Sequence, residues 1–189
     1  MDIARDTGSE PRSHAPGRGD LLAGREGWVA AGVCLVAALC FLRFGFGGEA
    51  LVSALFAGVL VVLTAIDIER RIVPNKIVLP ATGVILVSQL LLNPDRWLEF
   101  VLATLGAGLF LFVPRLLYPA GMGLGDVKLA MLLGAGLGAS VVLAFVVGLV
   151  AGFVAAVFLL LTRGSAARKM AIPFVPFLAL GGLVALFLS

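Results

Sequence analysis

Charge is scarce in this sequence. Lys, Arg, Asp and Glu make up 13% of the 189 residues, and 61% are hydrophobic. A soluble domain carries about twice that share of charge, so an ordinary water-soluble globule is excluded, as is a disordered chain. Histidine occurs once and cysteine twice. Cys34 and Cys40 form no CxxC, which argues against a disulfide framework, a zinc ribbon and a redox pair. At that spacing they lie on different faces of a helix and read as small buried thiols. His14 sits alone in a polar segment and reads as a solvated side chain. The net charge is +3. Because the charges fall between apolar runs and not on one soluble face, no nucleic-acid partner is expected.

Long apolar runs are what the sequence has in abundance. They are Trp28–Phe46, Ala50–Ile66, Ile77–Leu92, Trp97–Val113, Leu129–Thr162 and Ile172–Leu188. Continuous rather than alternating, they predict an all-α, polytopic membrane bundle embedded in the lipid bilayer. As one helix, Leu129–Thr162 would be about 51 Å long against a hydrocarbon core of about 30 Å. It is therefore divided at the glycine and serine cluster Gly136–Ser140, giving about seven transmembrane helices with a short fifth. Residues 1–27 are polar and read as a disordered cytoplasmic tail, and 28–189 as one membrane-embedded domain. The first run is followed by several others and reads as a retained helix, not a secretory signal.

Lys and Arg set the orientation. With the N-terminus cytoplasmic, Arg5, Arg12, Arg18, Arg25, Arg70, Arg71, Lys76, Arg115, Lys128, Arg163, Arg168 and Lys169 lie at the cytoplasmic side. Arg43 and Arg96 lie outside. The opposite orientation inverts this bias.

Acidic residues in such a chain are informative, because a charge in hydrocarbon is costly. Glu49, Asp95 and Glu99 fall at the external edge and five more acids in the tail, leaving Asp67, Glu69 and Asp126. Asp67 ends the second run and Asp126 opens the fifth. An even number of crossings separates them, so both reach the cytoplasmic edge. Two carboxylates that meet there suit acid–base chemistry on water, as in aspartic proteases. Asp67 falls near a helix C-terminus, where the dipole disfavours negative charge, and Asp126 near an N-terminus, where it favours it. Gly121, Gly123 and Gly125 alternate before Asp126 and let another backbone approach. The same residues also read as a solvated acid beside Arg70 and Arg71 followed by a glycine-rich turn. On that reading the chain is a non-catalytic membrane subunit or a small transporter.

Three ordered segments decide the resemblance. They are Asp67-Ile68-Glu69-Arg70-Arg71-Ile72-Val73-Pro74-Asn75, Gly121-Met122-Gly123-Leu124-Gly125-Asp126-Val127-Lys128-Leu129 and Ile172-Pro173-Phe174-Val175-Pro176-Phe177-Leu178-Ala179. Together they resemble the prepilin peptidases, or type IV leader peptidases, of the GxGD membrane aspartic protease class. The second segment matches that family's GMGxGDxKL, and the third its IPFGPFLA. The resemblance implies that Asp67 and Asp126 are catalytic, with no metal or cofactor. It implies cleavage of the basic leader of type IV prepilins or pseudopilins at the cytoplasmic face of the inner membrane. It also implies site support from Glu69, Pro74, Asn75, Gly123, Gly125, Lys128, Pro173 and Pro176. Two departures stand out. Many members carry an N-methyltransferase domain with paired CxxC motifs between the first two helices, whereas here Gly47–Glu49 leaves no room for it, so no methyl transfer is expected. Val175 replaces the third segment's glycine.

Overall fold

A computed structural model describes residues 26–118, 123–163 and 173–189 of the chain. Seven α-helices and two single 3-10 turns make up the described residues. The helices are α1 Glu26–Phe44, α2 Gly48–Arg70, α3 Asn75–Leu92, α4 Trp97–Leu117, α5 Leu124–Leu137, α6 Val141–Arg163 and α7 Val175–Leu188. The 3-10 turns are Pro94–Arg96 and Gly138–Ser140. Helix is the expected solution for such apolar runs, since it satisfies every backbone group within the segment. Of the segment expected as a tail, Glu26 and Gly27 open α1, and residues 1–25 lie outside the described residues.

The ends of the helices follow the local sequence. α2 stops at Arg71, which takes the left-handed conformation (φ 53°, ψ 39°), its N–H donating back to the Asp67 carbonyl. Pro74 then caps the start of α3. Gly138 (φ 56°) breaks the long apolar run between α5 and α6, as its glycine and serine content predicted. Pro176 lies within the first turn of α7, where a missing N–H costs little. Pro80 and Pro114 sit inside α3 and α4. Buried hydroxyls also bond to the preceding turn, Thr82 to the Val78 carbonyl and Thr104 to that of Phe100, both at 2.7 Å.

Four stretches, α1, α2, α3 and Pro94–Leu117, are each long and apolar enough to cross a membrane, and Leu124–Thr162 makes a fifth. The last contains both α5 and α6. With 14 residues each, α5 and α7 span about 21 Å, less than a bilayer core. A short fifth helix was expected from the sequence. The brevity of α7 was not, and it arises because the helix starts only at Val175, beyond Pro173.

α2, α5 and α7 supply most of the core. Phe56, Leu60 and Leu63 of α2, Leu129, Leu132 and Leu133 of α5 and Leu178 of α7 belong to one buried cluster, all with almost no exposure. The closest-packed neighbours are α4 with α5, α6 with α7, and α1 with α2. Small residues allow this. Gly134 lies against the backbone of Ala103 and Thr104, and Gly181 against that of Ala144, so neither position has space for a side chain. One expectation fails. Cys40 is buried, but Cys34 is exposed on the outer face of α1. In a bilayer that face meets lipid, which accepts a thiol as readily as a core does.

Candidate active site

Asp67 occupies the last turn of α2 and Asp126 the first turn of α5. α3 and α4 run between them in sequence and return the chain to the same end of the bundle. There Asp126 lies within Coulombic reach of Asp67. Asp67 is buried at 5% exposure, and its Oδ2 has no hydrogen-bond partner among the described residues. Its carboxylate faces the backbone N–H of Val175 and feels the charge of Arg71. Asp126 is half-buried, and its Oδ2 accepts a hydrogen bond from the Gly123 N–H at 3.2 Å. The Asp126 N–H donates in turn to the Gly123 carbonyl at 3.3 Å, so the aspartate is fixed by the helix start that it caps.

Two contacts tie the first segment to the second. Gly125 packs on Val73 so closely that a Cβ there would lie 2.7 Å from the Val73 Cβ. Lys128 Nζ donates to Asn75 Oδ1 at 2.6 Å, joining the beginnings of α5 and α3. Lys128 therefore reaches toward the Pro74–Asn75 turn. The third segment arrives through α7, whose packing against α2 brings Val175 and Pro176 to this end. Pro173 precedes the helix, and Gly121, Met122 and Ile172 lie outside the described residues.

Glu69 departs from this cluster. Two residues beyond Asp67 is about 200° around a helix. Glu69 is exposed and lines a hollow between α1 and α2 with Trp28, Val29, Thr64 and Ile68. The structure thus assembles Asp67, Asp126, Gly123, Gly125, Pro74, Asn75, Lys128 and Pro176 at one end and turns Glu69 toward α1. Val73 and the Val175 N–H are the participants that sequence reasoning missed. A valine before a proline and a backbone amide carry no chemical signal of their own.

Of the acids expected at the external edge, Glu99 has structural work. Glu99 accepts from Arg96 Nε at 2.9 Å and Nη2 at 2.7 Å, and from the Ala139 N–H at 2.9 Å. It thereby holds the turn between α5 and α6. Gln89 Nε2 donates to the Gly136 carbonyl at 3.3 Å beside it. A cavity of about 430 Å³, lined by Glu49, Gln89, Asn93 and Arg96, opens at this end, where α5 stops short. It lies at the other end of α2 from Asp67.

An all-helical bundle with five such apolar stretches defines a multi-pass membrane protein. The profile of the type IV leader peptidase family matches residues 54–162, and the chain belongs to that family. Three curated relatives are prepilin leader peptidase/N-methyltransferases. That of Bacillus subtilis (strain 168) is 29% identical over 153 residues, covering 80% of this chain and 61% of that protein. That of Pseudomonas putida is 32% identical over 163 residues, covering 83% and 56%. That of Burkholderia pseudomallei (strain 1026b) is 32% identical over 169 residues, covering 84% and 52%. The chain therefore spans between half and two thirds of these relatives' length. No solved structure matches it significantly.

Proposed function

We propose that the protein is an aspartic endopeptidase that removes the basic leader from type IV prepilins or pseudopilins at the cytoplasmic face of the inner membrane. The supporting observation is the convergence of Asp67 and Asp126, from helices far apart in sequence, at one end of the bundle. In this mechanism the close carboxyls share one proton, because like charges disfavour double ionisation. The ionised one takes a proton from water, and the oxygen attacks the scissile carbonyl carbon while the protonated one hydrogen-bonds the carbonyl oxygen. The tetrahedral intermediate collapses with cleavage of the C–N bond, and the amine leaves with a proton from the dyad. The contacts Gly125–Val73 and Lys128–Asn75 hold the two aspartate-bearing segments in register. A transport role fits less well, since both acids sit at one edge and not at mid-membrane.

The Lys and Arg distribution supports a cytoplasmic N-terminus and active site, with Pro94 outside. Reporter fusions at Pro94 that stay cytoplasmic would refute it. We propose no methyl transfer, because residues 45–47 alone connect α1 to α2 where many members insert that domain. Transfer of a labelled methyl group from S-adenosylmethionine to processed pilin by the purified protein would contradict this.

The central test is co-expression with a prepilin, read by gel shift and mass. The wild type is expected to cleave, and properly inserted Asp67→Asn and Asp126→Asn variants are not. Full cleavage by either variant rules out that aspartate.

A further inference from the structure

We propose that the N-terminus of α7 is a positioning element for Asp67, acting through the backbone N–H of Val175. This rests on the dyad reading above and assigns the third motif a task within it.

The first turn of α7 has few donors to spare. Pro176 has no N–H. The N–H groups of Phe177 and Leu178 both donate to the Phe174 carbonyl, at 3.2 and 3.3 Å. The Val175 N–H faces the Asp67 carboxylate instead. Asp67 needs such a partner. It is 5% exposed, its Oδ2 is buried without a hydrogen bond, and its position in the last turn of α2 exposes it to the negative end of that helix. The positive end of α7 opposes this field, so the carboxylate sits between two helix termini of opposite sign. Each aspartate thus faces a backbone N–H at the start of a helix, Asp126 that of Gly123 at 3.2 Å and Asp67 that of Val175.

This also accounts for valine in place of glycine. The described residues with positive φ are Gly45, Arg71 and Gly138, and Val175 is not among them. A β-branched residue therefore fits the backbone, and its side chain fills the core at 1% exposure. The motif presents an amide, which any residue but proline supplies.

The experiment replaces Val175 by its α-hydroxy acid, turning the amide N–H into an ester oxygen while keeping the side chain. The same exchange at Phe177, which removes a bond internal to α7, is the structural control. Cleavage of a prepilin in liposomes should lose about ten- to hundredfold in kcat for the 175 ester, with KM nearly unchanged. The 177 ester should stay within about threefold of the wild type. Wild-type kcat in the 175 ester, or an equal loss in the 177 ester, overturns the proposal. A second readout does not depend on activity. In the resting protein with ¹³C-labelled aspartate, the infrared carboxyl band that Asp67→Asn removes should shift in the 175 ester and not in the 177 ester. An unmoved band also overturns the proposal. Cleavage by Asp67→Asn would instead overturn the dyad, with the infrared band still deciding the contact.

Discussion

Replacing Gly125 with alanine puts a methyl carbon 2.7 Å from the Cβ of Val73 and 2.8 Å from its Cγ2. Carbon atoms prefer about 3.5–4.0 Å. The strain cannot be relieved by a rotamer change, because the Val73 Cβ is anchored to its backbone. The start of α5 and the connection before Pro74 must therefore separate by about 1 Å. Overpacking of this kind costs about 1–3 kcal/mol, which leaves the bundle folded. The catalytic consequence is larger. Asp126 is the next residue and moves with the helix start, and a displacement of about 1 Å at a reacting group costs about a hundredfold in rate. The assay is kcat for prepilin cleavage by purified protein in liposomes, with insertion and thermal stability measured in parallel. Val73→Gly removes both atoms that clash and should return the double variant to within about tenfold of the wild type, a coupling expected of residues in contact. Wild-type kcat in Gly125→Ala, or no rescue by Val73→Gly, refutes the argument.

Three further expectations follow from the contacts. Lys128→Met and Asn75→Ala each lose the 2.6 Å hydrogen bond. Each should lower cleavage about three- to tenfold, and the double variant no further than the worse single one, as a double-mutant cycle would read. Glu99→Ala removes the acceptor of the Ala139 N–H and the partner of Arg96. The pair is partly exposed, so thermal unfolding should show a loss of about 1 kcal/mol with cleavage unchanged. Gly181→Val forces a side chain onto the Ala144 backbone and should destabilise the α6–α7 packing by about 3 kcal/mol, seen as a lost monodisperse peak in size-exclusion chromatography.

Hydropathy and lysine and arginine placement were enough to mark the spans, divide Leu129–Thr162 at its glycines and put Asp67 and Asp126 at the same end. Those features are legible because the bilayer imposes length and apolarity on each segment separately. The candidate aspartates were legible because acidic residues are scarce in such a chain, 11 of 189. In an apolar chain, however, outward and inward faces look alike, since lipid and core accept the same side chains. Nothing in the sequence therefore marked α2, α5 and α7 as the centre, Cys34 as outward-facing, or Glu69 as turned toward α1 while Asp67 faces the core. Only the tertiary structure brought Val73 onto Gly125, Lys128 to Asn75 and the Val175 N–H to Asp67. Each contact joins segments distant in sequence, and steric fit and backbone direction, which residue type does not encode, decide where they meet.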